Sequence, residues 1–142
     1  MTKLQAIRKF ASDAAGKTVR IAQKRRFWAM DTDNYSYPRL ILPEDTDTND
    51  EEDKTFRANF VSRCPMARGF SNVTISILHE IGHYYTQEYI TLEYYAEVDN
   101  TFGEAYYDIE GERVATDWAI QWLQDSDHRK MAKRFEKEYF GH

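Results

Sequence analysis

Apolar and polar positions divide the chain into a leading helix, a strand-like middle and a helical C-terminal half. Over residues 3–15, Leu4, Ile7, Ala11 and Ala14 fall on one helical face, and Gly16 supplies the stop. Residues 18–31 do not commit to one period. Val19 and Ile21 alternate, and Phe27-Trp28-Ala29-Met30 reads as a strand before a turn at Asp31-Thr32-Asp33-Asn34. Arg39-Leu40-Ile41-Leu42, bracketed by Pro38 and Pro43, reads as a short strand. Thr55 to Val61 alternates like a further strand that Cys64-Pro65 ends. Helices are predicted from about Asn72 to Gln87, from about Glu104 to Gln124 with an interruption at Gly111, and from a cap at Asp125 or Ser126 to Tyr139. The order predicts an α+β fold in which a small antiparallel or mixed sheet of about three strands packs against the 72–87 helix and the second long helix.

Within the 72–87 helix, residues 79–83 read His-Glu-Ile-Gly-His, the HExxH pattern. Residues four apart on a helix share a face, so His79 and His83 present two imidazoles to one ion. Glu80 points into the same region without having to bind the metal, and is the candidate catalytic base. Three fixed positions also arise by chance on polar helices. Here the preceding segment, Val73-Thr74-Ile75-Ser76-Ile77-Leu78, is too apolar for a solvated face, and buried His and Glu need partners or a metal. The expectation is one Zn2+ ion and a hydrolase.

A catalytic zinc site takes a third protein ligand and keeps one position open. Downstream candidates are Glu88, Glu93, Glu97, Asp99, Glu104, Asp108, Glu110, Glu112, Asp117 and His128. Thr86 and Tyr89 stand where the metzincin extension requires Gly and His, which excludes that class. Glu112 stands out: Ala115, Thr116, Ala119, Ile120 and Leu123 follow it on one helical stripe, and its small members, with Gly82 opposite, allow two helices to approach closely. The same stripe is also core packing, and Glu110, Glu104 and His128 stay open as alternatives. Cys64, 15 residues ahead of the motif, would suit a deformylase-like amide hydrolase but lacks the surrounding Gly-Cys-Leu.

His79-Glu80-Ile81-Gly82-His83 followed by Glu112-x-x-Ala115-x-x-Trp118-Ala119 resembles the ImmA/IrrE group of zinc metallopeptidases over about residues 70–125. The resemblance implies a gluzincin-like, zincin-type core with His79, His83 and Glu112 as ligands and Glu80 as base. It further implies a regulatory peptidase acting on a protein such as a DNA-binding repressor, in a bacterium, a phage or a mobile element. Val114, Thr116 and Trp118 depart from the group's usual acidic residue, Asn/Asp and Phe. Ligand histidines donate their other N–H to an acceptor, for which Thr116, Asp117 and Asp108 are the candidates. The region 84–107 is rich in tyrosine, and a phenol can hydrogen-bond a developing oxyanion; Tyr106 and Tyr107 are the candidates for that role.

The 142 residues, 42% apolar and 15% aromatic, describe a single domain with enough material for a core. One cysteine excludes an internal disulfide. The first residues lack the apolar stretch of a signal peptide and nothing approaches a membrane span, so the expected setting is cytoplasmic, the host's cytoplasm for a phage protein. Net charge is −5, yet residues 1–30 carry eight Lys/Arg against Asp13 alone, or +7, which leaves −12 for the rest. That basic N-terminal arm is read as packing on the protein's own acidic body in preference to nucleic acid. Residues 44–54 read as an acidic mobile loop, since Asp50 and Phe56 stand where a calcium loop needs Gly and Glu. Two further readings remain: a zincin-type metal-binding interaction protein without proteolysis, or a non-proteolytic zinc amide hydrolase.

Overall fold

A computed structural model describes residues 1–23, 27–32 and 36–141. The architecture is α+β: helix α1 (Lys3–Ala15), strands β1 (Arg20–Gln23), β2 (Ala29–Asp31) and β3 (Arg39–Leu42), then helices α2 (Glu51–Arg63), α3 (Asn72–Tyr85), α4 (Leu92–Asn100), α5 (Glu110–Leu123) and α6 (Ser126–Phe140). Short 3-10 turns at Pro65–Gly69, Gln87–Tyr89 and Gly103–Asp108 join the later helices. The sheet is mixed, in the order β1-β3-β2. β3 pairs in parallel with β1, Ile21 opposite Leu40, and antiparallel with β2, Met30 opposite Leu40. Asp33 and Asn34 of the expected turn lie outside the described residues, and Asp31 ends β2 rather than opening that turn.

α3 is the axis of the fold. Every residue from Val73 to Tyr84 is buried, because α1, α2, α5 and the sheet cover it on different sides. Its first turn is capped by the Ser71 hydroxyl, which accepts from the Thr74 N–H. Glu136 of α6 accepts from the Ser71 N–H at 2.5 Å and from the Thr74 hydroxyl at 2.7 Å, so Thr74 is buried with its polar group satisfied. α1 and α6 pack on each other through Phe10, stacked on Phe135 at 4.6 Å and edge-on to Trp122 at 5.8 Å. Two N-terminal cations meet acidic side chains of the body: Lys3 pairs with Asp47 at 2.5 Å and Lys9 with Glu138 at 2.9 Å. Such exposed pairs fix orientation more than they stabilise.

Three sequence expectations are corrected. Residues 55–61 are not a strand but the body of α2. Asp50 caps that helix in a reciprocal box with Asp53, and Glu51, Glu52 and Asp53 sit at its positive end. The apparent alternation is the helical pair Phe56 and Phe60, one turn apart with rings 6.0 Å from each other. The acidic loop 44–54 is consequently shorter than expected, its last residues being helical. The second long helix starts at Glu110, after Ile109, and is not broken at Gly111.

α3 and α5 form the most extensive helix pair in the molecule. At their crossing a Cβ on Gly82 would press on the Ala115 carbonyl, 3.0 Å from its carbon and 3.1 Å from Cα. Backbone cannot yield as a side chain can. Gly82→Ala is therefore expected to destabilise the fold by about 3 kcal/mol despite alanine's better helix propensity, read as a lowered denaturant midpoint.

Candidate functional site

The crossing at Gly82 and Ala115 brings the last turns of α3 against the first turns of α5. His79, Glu80 and His83 come from α3, Glu112 and Thr116 from α5, and all five are buried. His79 Nε2 lies 3.1 Å from Glu112 Oε1, and His83 Nε2 lies 2.8 Å from Glu112 Oε2. The imidazoles meet edge to face, with centroids 4.6 Å apart. A donor atom from Glu80 falls within 4.8 Å of donors from both histidines. Two imidazoles and two carboxylates thus share one buried space.

The histidines are held differently. His79 Nδ1 is 3.0 Å from the Thr116 hydroxyl. As an ion ligand the ring would donate Nδ1–H to that oxygen and offer its Nε2 lone pair; facing the Glu112 carboxylate, Nε2 donates instead. The acceptor for His79 is therefore Thr116, not Asp117 or Asp108. Asp117 is turned outward to Arg63 and Arg113, and Asp108 is exposed at the end of its 3-10 turn. His83 Nδ1 is buried and has no hydrogen-bond partner among the described residues.

The other candidate ligands lie elsewhere. His128 stacks on Trp122 at 4.4 Å, and its Nδ1 is 2.8 Å from the Trp122 carbonyl. Glu104 and Glu110 are exposed, and Cys64 is buried at the C-cap of α2.

The electrostatics separate the two carboxylates. Burial pushes Glu112 up, but hydrogen bonds from His79 and His83 and their charge outweigh it and hold its carboxyl well below the usual 4.5. Burial pushes Glu80 up, and the negative Glu112 adds to this; the opposing pull of His83 and His79 does not cancel it, so Glu80 lies above 4.5. Burial lowers His83, yet the hydrogen bond and charge of Glu112 reverse this and leave it above 6.5.

Tyrosines close the site. Tyr94 of α4 donates to Glu112 Oε2 at 2.5 Å, and Tyr106 lies close enough to feel both Glu112 and Tyr94. Burial first, and then the Glu112 charge, raise both phenols, so they remain protonated donors. Tyr107 sits farther out, its ring 6.3 Å from Phe56. Sequence reasoning missed Tyr94, whose only signal was membership of the tyrosine cluster. The position depends on Gly111, where a Cβ would collide with the Tyr94 ring.

Above this floor open two cavities, of about 160 Å³ and 290 Å³, both lined by Trp28, Glu80, Tyr106 and Glu112. The larger also reaches Ala29 and Met30 of the edge strand β2.

The donor set fits a small divalent cation. Ligand atoms about 2.0–2.1 Å from a tetrahedral ion stand about 3.3 Å from one another, near the 3.1 Å and 2.8 Å that separate each Nε2 from the Glu112 oxygen facing it, Oε1 for His79 and Oε2 for His83. Glu112 supplies the negative charge, and a site of two neutral imidazoles and one carboxylate suits zinc.

Two outcomes are expected. Because the His83 pKa is raised, a proton competes with the metal until pH passes that value; zinc-induced thermal stabilisation should therefore grow between about pH 6 and pH 8 in scanning calorimetry. Thr116→Val, which keeps the shape and removes the acceptor, should weaken zinc binding about 10- to 100-fold in competition with a chromogenic chelator.

No protein-family model matches this chain, and neither a curated protein nor a solved structure matches it.

Proposed function

We propose that this chain is a zinc-dependent metallopeptidase, built on a zincin-like core, that hydrolyses a peptide bond in a protein substrate. The observation that carries this reading is the convergence of His79, His83 and Glu112, with a second buried carboxylate, Glu80, kept chemically distinct beside them. His79 Nε2, His83 Nε2 and the Glu112 carboxylate would hold the ion. When bound, zinc supplies Lewis acidity, bringing the pKa of water toward 7 and polarising a carbonyl.

The remaining chemistry belongs to the side chains. Glu80 borders both cavities, and its raised pKa brings it nearer the range of a general base. It accepts a proton from the attacking water and delivers it to the departing amide nitrogen. Tyr106, a protonated phenol at the edge of both cavities, donates a hydrogen bond to the oxyanion that develops on the carbonyl. Thr116 fixes the His79 ring. An extended peptide laid along the edge strand β2 runs past Ala29 and Met30 into the 290 Å³ cavity.

The resemblance to the ImmA/IrrE group extends the reading to a regulatory protein substrate, such as a repressor in a phage or mobile-element setting, and to the cytoplasm. No helix among the described residues is long and apolar enough to cross a membrane. Of the cations in the N-terminal arm, on which the interaction-protein alternative would draw, Lys3 and Lys9 pair with the protein's own Asp47 and Glu138.

Glu80→Gln tests the assignment. The variant should bind one zinc ion per chain with affinity near that of the parent, by elemental analysis and calorimetry. Cleavage of a proteome-derived peptide library should fall by about 10²–10⁴-fold. Undiminished cleavage by the variant would refute the role given to Glu80.

A further inference from the structure

Next to the site lies a third and larger cavity, about 580 Å³, that the hydrolytic chemistry does not use. It shares Trp28, Tyr106 and Tyr107 with the 160 Å³ cavity over His79, so the two spaces adjoin. Its wall is apolar: Phe27, Trp28, Val98 and Phe102. Phe27 and Phe102 are 66% and 83% exposed, although large aromatic side chains normally find cover.

Carboxylates predominate among the described charged groups around it. Glu51 and Glu52, at the start of α2, line one side of the cavity, with Lys54 reaching Glu51 at 3.6 Å. The opposite side comes from a stretch in which no Lys or Arg occurs between Arg68 and Arg113, and in which Glu97, Asp99 and Glu104 flank the lining residues Val98, Phe102 and Gly103. Tyr107, where the cavities join, is raised by burial and then by the charges of Glu52, Glu112, Asp53 and Glu104, so four carboxylates act on one point. Among the described residues, the lining of the 580 Å³ cavity includes Glu51 and Glu52 and no Lys or Arg. Low-dielectric walls concentrate such a field.

We propose that this cavity is the specificity pocket of the cleft, and that it selects a basic polypeptide segment by taking up a bulky apolar side chain while Glu51 and Glu52 pair with neighbouring Lys or Arg. The occupant is set by complementarity on two counts. Exposed aromatic walls demand an apolar side chain, and the negative rim repels acidic segments and attracts cationic ones. This inference rests on the peptidase reading for the position of the cleaved bond, but binding can be measured without cleavage.

The test uses the full-length, zinc-loaded Glu80→Gln protein and fluorescence anisotropy. The probe is a labelled Gly-Lys-Lys-Phe-Lys-Lys-Gly peptide. One control replaces Phe by Gly, and the other replaces every Lys by Glu. The probe should bind at least about tenfold tighter than either control, the scale set by burying one aromatic side chain and by charge pairing. Phe102→Ala should erase the advantage of Phe over Gly. Glu51→Gln with Glu52→Gln should shrink the advantage of Lys over Glu and flatten its salt dependence. All three side chains are exposed, so far-UV circular dichroism should stay unchanged. Equal affinity for probe and controls, or preferences that persist in both variants, overturns the proposal. Loss of the peptidase reading is registered separately, as absent zinc or absent cleavage by the unsubstituted chain, with the binding preferences intact.

Discussion

The structure depends on how closely α3 and α5 approach each other. A carboxylate side chain is short, so a glutamate on one helix reaches imidazoles on another only where the backbones nearly touch. Gly82 against the Ala115 carbonyl provides that contact. One missing methyl group sets the distance between two rods, and that distance places Glu112 between His79 and His83. The cost is a flexible residue inside a helix, offset by burial of α3 on every side.

Around that contact the fold distributes its polar groups with little waste. Among the described residues, Thr74, Ser76, His79, Glu80, His83, Glu112 and Thr116 are the buried polar and charged side chains, and all lie on the two crossing helices. Isolated, each would cost free energy. Most find a partner: Thr74 with Glu136 of α6, His79 with Thr116, Glu112 with both imidazoles, while His83 Nδ1 has none among the described residues. The same grouping drives Glu112 and Glu80 apart in acidity, since the hydrogen bonds that stabilise an ionised Glu112 leave a neighbouring negative charge that opposes ionisation of Glu80.

What was legible in the chain followed from strong local rules. The helix-turn spacing of His79 and His83, the prolines around Arg39–Leu42 and the glycine after Ala15 each leave one conformation favoured, and those elements stand where the pattern puts them. The small stripe after Glu112 was readable because close helix packing restricts residue size. Thr55–Val61 failed because a period-2 pattern over seven residues is short enough to arise from one helical aromatic pair, while the decisive signal, reciprocal capping by Asp50 and Asp53, lay in a run that looked like solvated loop. Tyr94 was illegible for another reason: its approach to Glu112 is set by how α4 returns to the site, a tertiary fact that no local spacing encodes. Asp117, by contrast, looked eligible as an acceptor, yet one position along a helix rotates a side chain by about 100° and turned it to Arg63 instead.

The two imidazoles are fastened unequally, and this shapes how the center can load and unload. His79 is pinned at both nitrogens, one by a hydroxyl and one by a carboxylate; His83 is tied at a single nitrogen, its Nδ1 buried without a hydrogen-bond partner among the described residues. A ring pivoting about one tether meets a lower barrier than a ring secured at two points. Were an ion held here, the His83 side would be the freer of the two jaws.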